Sequence, residues 1–554
     1  MINRSLKSQI PLLRSSLKHI SISAMALMTS AWLPPCARAV PDVMARDQIM
    51  EIANEHLRLR WHCDTYNIYT GVTNATCPYK IPGWQDGISY KWGGYDTRDS
   101  FYEAVVVNHG YAGDTNSAAI VSGTYGADCS GFASRAWRSG RHTTSSFGST
   151  GTPTTYALIA PGDLMNKASS HVRIFEKFTS ANSTMVIECT TGVSPGRVVR
   201  RVLSTDSNYA PLHYNMLVDW PSITRAAAAS STAATIDFLG NAATGFRICQ
   251  SADGNTWTRV ADETTLKPQT LTATIIGLTP GTTYYFRVAG VNGSAETQPS
   301  CVFPLRTPAA GLRKALIVNG YDRWTRKTEP GGRAHTFLTR TAQALAACNY
   351  AFDTIDNLRV IDQSTSLADY PAVWWTLGDE STADESFSCQ EQLRVQDYLS
   401  RGGNLFVSGS EIAWDLVNKA NMINDAAFAA NYLKIGYASD GSGGNGYSYS
   451  GIAGTPFEGM SGAFDNGANG TFNVATPDVY TVQPGAQAIL RYGTGQTAAV
   501  SCKGLFGQGT TPGSVVVLGF PFETITTPAA RQALVNAATA AFNNMTNVEF
   551  WRGY

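Results

Sequence analysis

The sequence has no Cys-x-x-Cys pair and no His-Glu-x-x-His run, which sets zinc ribbons and zincin-type metalloproteases aside. Charge is scarce and evenly split: 15% of the 554 residues are charged, 42 basic against 42 acidic. A partner drawn in by net charge, nucleic acid above all, does not fit that balance. The 51 glycines and 24 prolines follow no period, so collagen-like and wholly disordered chains are excluded. After residue 39 no run of 18 uncharged apolar residues occurs, and no membrane span is expected in the mature chain. Apolar residues, by contrast, make up 43% of the sequence. At about 100–200 residues per domain, this length predicts three or four domains.

The first 39 residues read as a secretory signal peptide. Arg4, Lys7, Arg14 and Lys18 form an acid-free basic leader, Ile20 to Leu33 is mostly apolar, and Ala37-Arg38-Ala39 supplies the cleavage site. The expected location is therefore secreted or periplasmic. Losing this leader, with Arg38, removes five basic residues and leaves 37 against 42 acidic ones, net −5. Of ten cysteines, cleavage discards Cys36 and leaves nine. An odd number in an exported chain points to one free, reactive thiol and a set of disulfides. Cys63–Cys77, Cys249–Cys301 and Cys348–Cys389 are the pairings expected, although the sequence alone leaves many connectivities open.

Three segments follow the leader. Residues 40–221 hold six of the eight histidines. Residues 222–308 alternate as short strands do, with a hairpin from Phe246 to Val260 around a Ser251-Ala-Asp-Gly-Asn turn. Leu278-Thr-Pro-Gly-Thr-Thr-Tyr284 resembles the corner of a fibronectin type III domain, in which a tyrosine hydroxyl bonds back to the upstream backbone. The resemblance implies an all-β sandwich acting as spacer or binding module, with Tyr284 at the corner. Residues 309–554 alternate strand and helix: Lys314–Asn319, Thr336–Cys348, Ala372–Leu377, Gln390–Ser400, Asn404–Ser408, Ser514–Gly519 and Pro528–Phe542. That order predicts an α/β, doubly wound parallel sheet. The Gly-, Ser- and Asn-rich stretch from Ser439 to Asn473 reads as a long surface insertion.

The chemistry-bearing residues lie in the first segment. Cys129 opens a helix-like stretch after Asp128, where the positive end of a helix dipole is expected to lower a thiol pKa. His171 opens a strand after Gly162-Asp163, and Glu188 on the next strand is placed to accept from its imidazole. Nucleophile, base and orienting acid are all present. His56, His62, His109 and His142 show no ligand spacing and read as surface or structural.

Tyr90-Lys-Trp-Gly-Gly94, Asp128-Cys-Ser-Gly-Phe132, Gly162-Asp163 and His171-Val172 together resemble the NlpC-type cell-wall cysteine peptidases. The resemblance implies an α+β, papain-like fold and cleavage of peptidoglycan stem peptides. Cys129 would be the nucleophile, His171 the base and Glu188 the third member. Tyr90, Asp128 and Ser130 would lie on the substrate side. No metal and no cofactor are implied. In this chain about 33 residues separate the first two motifs, and the third position is more often His, Asn or Gln.

Leu405-Phe-Val-Ser-Gly-Ser410-Glu411 resembles the nucleophile elbow of class I glutamine amidotransferase-like, flavodoxin-like domains. Ser410 stands where that family has Cys, and Phe520-Pro-Phe-Glu523 where it has His-Pro-Glu. His335 is the sole histidine after residue 308. A serine without a base is a poor nucleophile, so this domain is expected to bind or support rather than catalyse. The function expected is a secreted cysteine hydrolase of cell-wall peptides, with a polysaccharide as further candidate partner of the trailing domains. The alternative is a glycan- or surface-binding protein whose papain-like domain is vestigial.

Overall fold

The N-terminal segment is built on a helix and a six-stranded antiparallel sheet. In the computed structural model, which describes residues 43–218, 220–322, 337–380, 385–419 and 425–543, the signal-peptide region with Cys36, and His335, lie outside the described residues. Helix α1 (Arg46–Arg58) buries Ile49, Met50 and Ala53 on one face, the spacing that a 3.6-residue period requires. Helix α2 (Cys129–Ala136) packs across the sheet. The strands are β1 (Gly151–Pro153), β2 (Leu164–Lys167), β3 (His171–Ser180), β4 (Ser183–Thr190), β5 (Arg197–Ser204) and β6 (Ala210–Tyr214), in spatial order β1-β6-β2-β3-β4-β5. Alternation along β3 sends Val172 and Ile174 into the core and leaves His171 and Arg173 together on the other face.

Seven strands then form a sandwich. One sheet joins β7 (Ser222–Ser230), β8 (Ala233–Leu239) and β11 (Thr272–Ile276). The other joins β9 (Gly245–Ser251), β10 (Thr258–Ala261), β12 (Thr283–Asn292) and β13 (Phe303–Arg306). At the corner the Thr279 N–H donates to the Tyr284 hydroxyl at 2.9 Å, as the sequence leads one to expect.

Beyond the sandwich, β14 (Arg313–Asn319), β15 (Tyr350–Asp356), β16 (Ala372–Gly378) and β17 (Asn404–Gly409) pair in parallel with β20 (Gly513–Leu518), in order β15-β14-β16-β17-β20. Antiparallel β18 (Gln487–Tyr492) and β19 (Thr497–Gly504) extend that edge. Helices α3 (Leu338–Ala347), α4 (Cys389–Ser400) and α5 (Pro528–Asn543) complete the region. Trp374 and Trp375 on β16 are both fully buried and enter different cores, one on each face of the sheet. Covering both faces is what makes these strands continuously apolar.

One sequence expectation needs correction. The Ser439–Asn473 stretch is no loose surface excursion: Tyr449, Phe457, Phe464 and Phe472 are buried in the core shared by the sandwich and the α/β sheet. Its short strands Ser448–Gly451 and Ser461–Ala463 pair with each other, and the first pairs with β18. The sandwich and the α/β region also share backbone pairing. Strand β15 pairs with β7 and touches β13 (Arg225↔Ile355, Arg306↔Phe352), which fuses their sheets. Among the described residues no helix is long and apolar enough to cross a membrane.

Candidate active site

Helix α2 begins with a well-made cap. Asp128 is extended, its carboxylate accepting from the Gly131 N–H at 2.6 Å and from the Ser130 hydroxyl at 2.9 Å. Arg141 bonds both, reaching Asp128 at 2.6 Å and Ser130 at 2.9 Å. Asp128 and Ser130, expected on the substrate side, are therefore engaged in holding the helix start. The same carboxylate accepts from the Gly93 N–H at 3.0 Å. The Lys91 N–H donates to Ala127 O at 2.9 Å and the Asp128 N–H to Gly94 O at 3.2 Å. The residues between the two motifs loop out, and the motifs meet as neighbouring backbone. Gly131 permits this approach, since a Cβ there would stand 2.0 Å from Gly94 O.

Cys129 is the first residue of α2, with the backbone N–H groups of Val172 and Ser130 near enough to its sulfur to favour the thiolate. The thiol therefore sits at the first rungs of β3, where His171 stands. Sequence reasoning from the helix dipole anticipates a lowered thiol pKa, and the structure reverses this. Burial, reinforced by the Asp128 carboxylate, pushes the Cys129 thiol up to about 11, against the smaller pull of the two N–H groups. Tyr90 lies close enough to feel Cys129, and burial raises its phenol well above the usual range.

His171 Nε2 bonds Glu188 Oε2 at 2.6 Å, so Nδ1 is the ring nitrogen not engaged by the carboxylate. Glu188 is 1% exposed and holds two more donors: Arg173 Nε at 3.0 Å on Oε2 and Arg201 at 3.0 Å on Oε1. The strand register explains the set. Ile174 pairs with Ile187, bringing Arg173 beside Glu188, and Arg201 lies diagonally across from it on β5. Arg173 also lies over the Tyr209 ring, 4.0 Å from its centroid, and Tyr209 meets the His171 ring edge-on. Burial alone would raise the Glu188 carboxyl; the bond to His171 and the Arg173 charge outweigh it and hold the group below the usual carboxylate range. Arg173 and Arg201 were missed in the sequence. The signal was the His-x-Arg alternation on one strand face.

Asp163 is fully buried and accepts from Arg46 at 2.8 Å, with His213 Nδ1 2.6 Å from its other oxygen, tying α1 to β2 and β6. The Gly-Asp motif thus braces the fold. Among the described residues no group of His, Cys, Asp and Glu could hold a metal ion. Cys63, Cys77, Cys249, Cys348, Cys389 and Cys502 are thiols, so none of the three expected disulfides is formed. Cys348 packs in the core shared by the sandwich and the α/β sheet, while Cys389 packs against that of the N-terminal segment. In the α/β region Ser410 is buried, and its N–H donates to Gly378 O at 2.9 Å.

No protein-family model matches the chain, and no curated protein matches it. Solved structures similar to it are fibronectin type III domains. They include the FN5 domain of Drosophila Lar (21% identity, 16% of this chain, 96% of that chain, TM-score 0.14). An Fn3-like protein from Clostridium thermocellum is 22% identical over 16% of this chain and 93% of its own, with a TM-score of 0.14. The sixth such domain of human fibronectin type III domain containing protein 3 is 24% identical over 16% and 83%, again at 0.14.

Proposed function

We propose that the chain is a secreted cysteine hydrolase that cuts amide bonds in peptidoglycan stem peptides, its N-terminal domain papain-like and of NlpC type. The observation that carries the reading is the buried Glu188 bonded to His171 Nε2, with Cys129 at the adjoining helix start. In the mechanism the thiol proton passes to His171 Nδ1 as sulfur adds to the substrate carbonyl, forming the S–C bond. The C–N bond then breaks, and the imidazolium returns its proton to the leaving amine. Water, deprotonated by His171, releases the acyl group and restores the thiol. Because burial holds the resting thiol protonated, proton transfer accompanies substrate binding rather than preceding it.

Under this reading residues 1–39 are removed on export. The α/β domain, flavodoxin-like and related to glutamine amidotransferase-like domains, binds or supports: Ser410 is buried against Gly378. The test is hydrolysis of purified muropeptides by the full mature chain. Release of a new amine supports the reading. Intact muropeptides together with wall binding would favour a glycan- or surface-binding protein instead.

A further inference from the structure

A cavity lies beyond the C-terminal end of α2. It measures about 350 Å³ and is bounded by α1, the turn after α2, the short helix Arg98–Tyr102 and the start of α4. Its walls are acidic. Glu51, Glu55, Asp99, Asp322, Glu385 and Glu391 line it, against Arg98, Arg135 and Arg138. Arg98 is shared among three of these carboxylates, Glu55 at 2.8 Å, Asp99 at 2.5 Å and Glu385 at 2.7 Å. Arg135 is turned onto the Tyr95 ring, 3.4 Å from its centroid, and donates to Tyr95 O. Among the described residues, six acids therefore face three arginines, of which Arg98 and Arg135 are already engaged.

A second observation is independent of this charge excess. Among the described residues, five acceptor atoms lining the cavity have no hydrogen-bond donor: Glu51 Oε1, Glu55 Oε1, Glu391 Oε1, Asn357 Oδ1 and His56 Nε2. Apart from Glu55, none of these residues is more than 7% exposed. His56 is informative, because its Nδ1 bonds Ile52 O at 2.7 Å and must be the protonated nitrogen. Burial lowers its pKa to about 4, so Nε2 stays a bare lone pair at neutral pH. Buried acceptors without donors are costly, and what satisfies them here is a ligand rich in N–H groups.

We propose that this cavity binds a small organic cation bearing ammonium or guanidinium groups. The volume lies at the small end of the range for ligand pockets. The carboxylates are spread along the walls, and among the described residues no group could hold a metal ion, which favours an extended cation over a point charge. Burial and mutual repulsion push the Glu51 carboxyl well above its usual range, a penalty that a bound cation relieves. The inference is independent of the hydrolase reading.

The test is calorimetric titration of the full mature chain with agmatine and with spermidine, alongside thermal melts. Saturable binding and a Tm that rises with ligand concentration are expected. Binding should weaken at least tenfold in Glu391→Gln and in Glu51→Gln. Glutamine at 391 can still accept the Ser388 N–H that caps α4, which keeps that variant folded, and Glu51→Gln is the independent check. Absence of saturable binding to the wild type would overturn the proposal. So would a Tm rise matched by KCl at equal ionic strength, or binding undiminished in both variants.

Discussion

His171 and Arg173 donate to the same oxygen of Glu188, at 2.6 and 3.0 Å. The carboxylate is thus more than an orienting group for the imidazole. It anchors three donors on adjacent strands, with Arg201 on the other oxygen, and its low exposure makes each bond count more than at a surface.

Glu188→Gln should therefore affect both stability and turnover. An amide can still accept from His171, but it leaves two arginine charges without their counter-charge. A loss on the order of 2 kcal/mol is expected, below the full penalty for a broken buried pair because the arginines are partly exposed. Turnover should fall about 100-fold. The wild-type contribution has a defined sign in pH. With a folded pKa below the ordinary value of 4.5, it is fully present above that value and is lost only as pH falls through the lower folded one. Denaturant titrations of both proteins from pH 7 to pH 3 should converge toward the acid end.

The Cys129 thiol offers a second pH test. Held up at about 11 by burial and Asp128, it is neutral near pH 7 in the unliganded protein. Alkylation by iodoacetamide, read as the mass shift of the Cys129 peptide, should accelerate continuously from pH 7 to pH 10. A rate already at its plateau by pH 6 would mean a thiolate–imidazolium pair exists before substrate arrives.

Glu523 is buried beside β20, and burial, with Asp379 adding to it, pushes its carboxyl up to about 7. The folded state therefore disfavours its ionisation, and stability is lost as pH rises from the unfolded value of about 4.5 to about 7. Glu523→Gln should raise Tm at pH 8 and leave it nearly unchanged at pH 4. Turnover at Cys129 should not move.

Ser410→Ala should be silent for turnover. Its backbone N–H, not its side chain, makes the bond to Gly378, and removing one hydroxyl at a buried site should shift stability by about 1 kcal/mol or less. Hydrolysis of muropeptides by the full-length variant is the measurement.

Local pattern carried much of this structure. The Tyr284 corner and the parallel strands after residue 309 are written in turn chemistry and continuous apolar runs, which neighbouring residues suffice to specify. Cys129, His171 and Glu188 were legible because each sits at a motif or at a strand position with period-2 alternation. What stayed hidden depends on distant partners. Arg173 and Arg201 acquire meaning only once strand register puts them around Glu188. The thiol pKa was misjudged because the helix dipole is local while burial is global. The aromatics between Tyr449 and Phe472 looked like loop residues until the core they enter was assembled.

The central claim is tested most directly by comparing muropeptide cleavage in wild type, Cys129→Ala and His171→Ala, each shown to be folded by circular dichroism. Product amine would be followed by mass spectrometry. The account predicts cleavage by the wild type, none by Cys129→Ala, and a loss of about 10³-fold or more in His171→Ala. Undiminished cleavage by Cys129→Ala would contradict it.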